Sequence, residues 1–350
     1  MDLNAESRLV LCRQWLMGLF KLTELTLTVV SGDAGFRRYY RFEHQNQTLI
    51  AVDAPPQTED NQLFVELSQA YAERGLLAPK VVAFDLAQGF MCLSDLGDEL
   101  LLSALNPTSV DKYYQQALAL LPQIAQITGT ARGPLPSYDA TRLSDEMNLF
   151  IEWFLPRHLD FTPDAAQCQM MEKAFAAITN NAVTQPQVAV HRDFHSRNLM
   201  ITEDDQLSVI DYQGALLGGV TYDPASLLRD CYIQWPDEVV YGHLLAYKQL
   251  IGDSVAAVKE VSDETFIRWF DLMGMQRHIK VCGIFCRLYY RDGKAGYLDD
   301  IPLTLDYVIG AAKKYPEFAD FAELLEMHIR PLLVAKVKKK VKEKTMEKAN

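Results

Sequence analysis

Residues 191–201 read His-Arg-Asp-Phe-His-Ser-Arg-Asn-Leu-Met-Ile, and after a short acidic turn residues 207–213 read Leu-Ser-Val-Ile-Asp-Tyr-Gln. Three polar residues there have complementary chemistry. A hydroxyl is a poor nucleophile at neutral pH, and an aspartate on a loop, Asp193, can accept its proton late in a loose transition state without a strongly shifted pKa. Mg²⁺ takes hard oxygen ligands, and Asn198 and Asp211 offer an amide carbonyl and a carboxylate. Together they predict transfer of the γ-phosphoryl group of ATP to an alcohol, with Asp193 as base and Asn198 and Asp211 as metal ligands. An Asp-x₄-Asn alone is a weak signal; framed by His-x-Asp, an apolar strand and Val-Ile-Asp it is specific. Of the flanking histidines, His191 is expected to pack under the loop and bond backbone, and His195 to help place the acceptor.

Such a loop needs a scaffold on either side. Residues 7–19 have helical apolar spacing, and short strands are expected at 25–30, 36–42, 48–52, 81–84 and 89–93, with a hairpin link at 44–47. Residues 60–74 form an amphipathic helix with Gly75 as its stop. Beyond residue 97 the pattern turns helical, at 110–128, 142–156, 165–180, 224–231, 239–251 and 263–290. Strands there are expected only around the motif, at 188–190, 199–202 and 207–210. The expected fold is α+β and two-lobed, protein-kinase-like, with a small antiparallel-sheet lobe at 1–97 ending in the hinge and a helical lobe at 98–350. The Lys-rich stretch 336–348 reads as a solvated terminal helix.

Nucleotide contacts are expected in the first lobe. The turn 31–35, with Gly32 and Gly35, can present backbone N–H groups to a triphosphate. Arg37 and Arg38 follow, on opposite faces of a strand, as candidate phosphate ligands. Ser94 and Leu96 are expected to bond the adenine edge through their backbones. One position breaks the kinase pattern: where a third-strand lysine would hold the phosphates, the run is Ile50-Ala51-Val52-Asp53. Two unit charges about 4 Å apart interact by roughly 4 kcal/mol at an effective dielectric of 20, so a carboxylate cannot simply replace that ammonium. Arg37 or Arg38 supplies the cation, or Asp53 pairs with one of them, or nucleotide binding is altered. Without its lysine, Glu66 is expected at the surface or facing substrate.

Composition narrows the class. With 350 residues, 49% of them apolar, the chain can bury one large or two coupled cores. A formal net charge of −12 argues against nucleic acid as a partner. No run of eighteen apolar residues is present, and the opening segment lacks the features of a secretory signal. Six scattered cysteines fit the cytoplasm and no disulfide framework; Cys282 and Cys286 read as core. Oligomeric state is left open.

Past the loop, Tyr222-Asp223-Pro224-Ala225-Ser226-Leu227-Leu228-Arg229-Asp230 opens a helix. With 191–198 and 209–213, this run makes the chain resemble the aminoglycoside phosphotransferase and choline kinase family over residues 29–290. Segments 36–41, 50–56, 149–155, 210–215 and 275–280 are most similar to its members acting on N-acetylmuramate and N-acetylglucosamine. The resemblance implies a two-lobed kinase-like fold and ATP- and Mg²⁺-dependent phosphorylation of the anomeric hydroxyl of an amino sugar in cell-wall recycling. It carries over Asp193 as base and Asn198 and Asp211 as metal ligands, and its Asp-Ala-Pro-Pro run at 53–56 is subgroup-like. Asp223 and Asp230 are expected to brace the loop.

Arg197, with Arg277, His278 and Lys280 on the long helix, favours an acidic sugar, the alternative being a helix surface with local ion pairs. Glu152 and Trp153 are placed to bond and stack on a sugar, or to form a core edge. Two other functions fit the same residues. One keeps the chemistry with an aminoglycoside, choline-like alcohol or homoserine as acceptor; the other is a nucleotide-binding scaffold without turnover, motivated by Asp53.

Overall fold

The structure, a computed structural model, describes residues 5–30 and 36–349, with side chains through residue 339. It divides into two compact units: Met1–Leu135 with Arg197–Ala215, and Pro136–Ser196 with Leu216–Asn350. The first unit thus runs past residue 97 and takes in the segment that carries Asn198 and Asp211.

In the first unit, helix α1 (Ala5–Phe20) precedes strands β1 (Thr28–Val30), β2 (Arg38–His44) and β3 (Gln47–Asp53). Helix α2 (Asn61–Glu73) and strands β4 (Val81–Asp85) and β5 (Phe90–Ser94) follow. The five strands form an antiparallel sheet in the order β1-β2-β3-β5-β4. Gln45 and Asn46 close the β2–β3 hairpin with φ of 49° and 61°, the left-handed pair that matches strand twist in a two-residue turn. Cys12 and Leu16 of α1 pack with Tyr40, Phe42, Ala51, Phe90 and Cys92 of the sheet. Each large apolar side chain buried this way stabilises by about 1.5–3 kcal/mol.

Asp60 caps α2 by accepting the Leu63 N–H at 3.0 Å, and Gly75 (φ 74°) stops it. The return segment is a hairpin of Leu199–Ile201 against Leu207–Val209. It is tied into this unit by the Ile201 N–H on the Glu99 carbonyl at 2.9 Å and the Val209 N–H on the Leu77 carbonyl at 2.8 Å.

The second unit is mainly helical. Its one longer ladder pairs Gln187–Val190 with Leu216–Gly219, and the second of these strands was not anticipated from sequence. Helix Ala140–Leu149 passes into a π-helical stretch, Phe150–His158, where a single α-helix was expected. The long helix Asp263–Asp292 starts at the Ser262 cap and ends at Gly293 (φ 71°). It presses on the other helices so closely that a Cβ on Gly283 would lie 2.3 Å from the Leu149 carbonyl carbon. Its cations are internal: Arg277, His278 and Lys280 are buried, so the helix-surface alternative is overturned. Among the described residues, no helix is long and apolar enough to cross a membrane.

Candidate active site

The loop that carries the candidate base, Asp193, belongs to the second unit. Strand Gln187–Val190 delivers His191, after which Arg192 takes a left-handed φ of 76°, an uncommon state for a non-glycine residue that the surroundings must enforce. They do so through two carboxylates. Asp223 accepts the His191 and Arg192 N–H groups at 2.7 and 3.0 Å, and Asp230 accepts the Ser196 N–H at 2.9 Å and its hydroxyl. His191 is fully buried and its Nδ1 accepts the Asp193 N–H at 3.3 Å. These contacts bear out the bracing expected of His191, Asp223 and Asp230.

Asp193 is surrounded by positive charge. Burial pushes its carboxyl pKa up, but Lys280 above all, then His195, Arg192 and Arg277, pull it down to about 2. An unshifted carboxyl was expected; the long helix's buried cations, whose burial the sequence does not reveal, account for the difference. Two of those cations are themselves held by Glu146, with Arg192 at 2.5 Å and Lys280 at 3.2 Å. The Tyr138 hydroxyl also donates to Glu146. Sequence reading missed Glu146 because a glutamate on the polar side of an amphipathic helix carries no distinguishing signal. His195 sets its ring edgewise on Tyr232, centroids 5.4 Å apart.

The two candidate metal ligands, Asn198 and Asp211, belong to the first unit. The Ile210 N–H donates to the Asn198 carbonyl at 3.0 Å, closing the open end of the hairpin and bringing the two ligand positions together. The Asn198 amide lies 3.4 Å from the Asp211 carboxylate, and Gln213 also donates to Asp211. Asp211 itself is left-handed, φ 65°, and the next residue, Tyr212, is clamped between Phe64 and Tyr71 of α2, with ring centroids 5.1 and 4.8 Å away. An amide and a carboxylate side by side offer hard-oxygen donors that would suit Mg²⁺. Among the described residues no cluster of three or more His, Cys, Asp or Glu side chains offers an all-protein metal cage.

The expected nucleotide residues are spread within the first unit. Gly32 and Gly35 lie outside the described residues. Asp53 is fully buried and pairs with two arginines, Arg8 of α1 at 2.6 Å and Arg38 at 2.5 Å. Arg8 was not anticipated. Arg37 instead pairs with Glu59 at 3.0 Å and lies over the Phe64 ring. Ser94 spends its N–H on the carbonyl of Lys80, the residue before β4, at 2.9 Å, and Leu96 is half-buried in the segment after β5. Glu66 accepts from Gln62 and pairs with no lysine among the described residues. Of the expected substrate residues, Glu152 is exposed on the π-helical stretch, His195 stays beside Asp193, and Arg197 opens the first unit's return segment.

Residues 26–259 match the model of a phosphotransferase enzyme family. The chain is 38% identical over 300 residues to the N-acetylmuramate/N-acetylglucosamine kinase of Pseudomonas aeruginosa, covering 85% of this chain and 87% of that protein. To the protein of the same name from Neisseria meningitidis serogroup B it is 35% identical over 321 residues, covering 91% and 95%. Among solved structures, the ethanolamine kinase of Plasmodium vivax is similar with a TM-score of 0.64 and 13% identity, covering 90% of this chain and 89% of that one. The choline kinase of Streptococcus pneumoniae reaches a TM-score of 0.57 at 12% identity, covering 88% and 100%. At such identities the likeness is one of fold.

Proposed function

We propose, on the premise that this chain belongs to the phosphotransferase enzyme family, that it transfers the γ-phosphoryl group of ATP to the anomeric hydroxyl of N-acetylmuramate or N-acetylglucosamine. The product is the sugar 1-phosphate, and the setting is cell-wall recycling in the cytoplasm. The amino-sugar reading draws on relatives of that name that align with most of the chain.

The observation that carries the chemistry is a loop carboxylate kept ionised by buried cations on a backbone fixed by Asp223 and Asp230. Asp193 accepts the proton of the acceptor hydroxyl as its oxygen attacks the γ-phosphorus and the bond to the β-phosphate oxygen breaks, leaving ADP. Asn198 and Asp211 would hold Mg²⁺, which when bound screens the charge of the triphosphate. Gly32, Gly35, Arg37, Arg38, Ser94 and Leu96 form the assigned nucleotide set, and Glu152, His195 and Arg197 the assigned acceptor contacts. With Asp53 engaged by two arginines, the substitution at the lysine position no longer motivates a scaffold without turnover.

Incubation with ATP, Mg²⁺ and either sugar should give a sugar 1-phosphate by ³¹P NMR. Asp193→Asn should lose about 10²- to 10⁴-fold in kcat while still binding ADP. A 6-phosphate product, or turnover only on a cationic alcohol, overturns the reading.

A further inference from the structure

The second unit contains a cavity of about 490 Å³ beside helix Ala140–Leu149. Asp139, Thr141, Arg142, Asp145 and Glu146 line it from that helix and its cap, and Arg287 from the long helix. The volume suits a single substituted sugar. Its wall leads to the base, because Glu146 grips Arg192 and Lys280, the same cations that lower the Asp193 pKa.

Of the charge lining the cavity, Glu146 is ion-paired within the fold, while Asp139, Arg142 and Asp145 are exposed to solvent. Glu146 has its two cations. Asp139 accepts the Arg142 N–H as the helix cap at 2.9 Å, and with Asp145 it balances Arg142 and Arg287 in number. Such a lining gives no net attraction to a polycation.

Arg287 is the one arginine of the lining that is not exposed. It is half-buried, makes no ion pair among the described residues, and its Nε is buried with no hydrogen-bond partner. Its neighbours along the helix are engaged, Arg277 with Cys231 at 3.2 Å and Lys280 with Glu146. Burial, and then the like charge of Arg291, lower the Arg287 pKa against the carboxylates of Asp292, Glu146 and Glu152, which sit near enough to be felt but not to bond it. A half-buried guanidinium without an ion-pair partner is matched by a carboxylate, which can accept two parallel N–H bonds from it.

Building on the amino-sugar reading, we propose that this cavity receives the acceptor sugar and that Arg287 binds a carboxylate on it, selecting an acidic N-acetyl sugar over its neutral counterpart. N-acetylmuramate carries that carboxylate; N-acetylglucosamine does not.

Steady-state kinetics of the wild type, Arg287→Gln, Arg287→Lys and Thr141→Trp with both sugars test this. Arg287→Gln should raise KM for N-acetylmuramate by about 10- to 100-fold, with kcat and the N-acetylglucosamine KM changed less than about twofold. Arg287→Lys should recover part of the loss. Thr141→Trp, which fills the cavity from an exposed position, should raise KM for both sugars. A merely structural Arg287 would affect both sugars alike in Arg287→Gln, and that result, or no effect on either, overturns the carboxylate assignment. Unchanged KM values in Thr141→Trp overturn the cavity as acceptor site. In both cases wild-type turnover leaves the amino-sugar reading standing; a wild type inactive on both sugars removes the two together.

Discussion

Asp53 shows what a single residue's surroundings decide. A carboxylate with no exposed surface survives only because Arg8 and Arg38 reach it from two directions, and removing one side of such a group leaves the other uncompensated. Asp53→Ala should therefore lower stability by about 3–5 kcal/mol, tempered because Arg38 is partly exposed, as read from denaturant midpoints. His278 makes the second residue-scale case. It is buried, stacked on Tyr307 with centroids 4.9 Å apart, and bonded to the Arg229 carbonyl at 2.8 Å. Burial, then Arg277 and Arg229, push its pKa down to about 3, so the ring is neutral in the fold while the unfolded chain takes up a proton below about 6.5. Stability on this account is complete above that value and falls as pH drops towards 3, by about 1.4 kcal/mol per pH unit. Urea midpoints at pH 7 and pH 5 should differ less in His278→Gln than in the wild type. At this scale Asp193, Asn198 and Asp211 stand out as candidates in the sequence because their spacing is local. Arg8 was not, since it pairs with a partner 45 positions away.

Elements were legible where a period or a cap marks them. Asp60 and Gly75 bracket α2 within a residue of the expected ends, and the two hairpin strands leading into Asp211 appear where short apolar runs put them. Leu216–Gly219 escaped notice because four residues ending in two glycines carry little strand propensity; only pairing with Gln187–Val190 makes them a strand. The π-helical turn after Leu149 is equally silent in sequence. Its neighbour Gly283 gives it a test. With the Leu149 backbone already at 2.3 Å from where a Cβ would go, Gly283→Ala must push two helices apart. The expected loss is about 1–3 kcal/mol or more, against the small gain that alanine normally brings to a helix interior. A thermal melt that rises in the variant would contradict this packing.

For the molecule as a whole, the six cysteines give a prediction that no single element does. All are free; five are buried and Cys168 is half-exposed. Burial pushes the Cys12, Cys92 and Cys286 thiols to about 12, leaving little thiolate at neutral pH. A native-state thiol titration should find one fast-reacting group per chain, lost in Cys168→Ser, and Tm should be the same with and without reductant. The fold class was legible from the change of pattern near residue 97. The return of Arg197–Ala215 to the first unit was not, because long-range backbone bonds such as Val209 to Leu77 leave no local trace. That return has a practical side. A gene fragment stopping at Leu135 would encode α1, α2 and the five-stranded sheet but omit the piece whose amides cap the carbonyls of Leu77 and Glu99. Dissecting the enzyme into independently expressed halves therefore requires cutting at three junctions and splicing the excised stretch back by a linker or a permuted reading order.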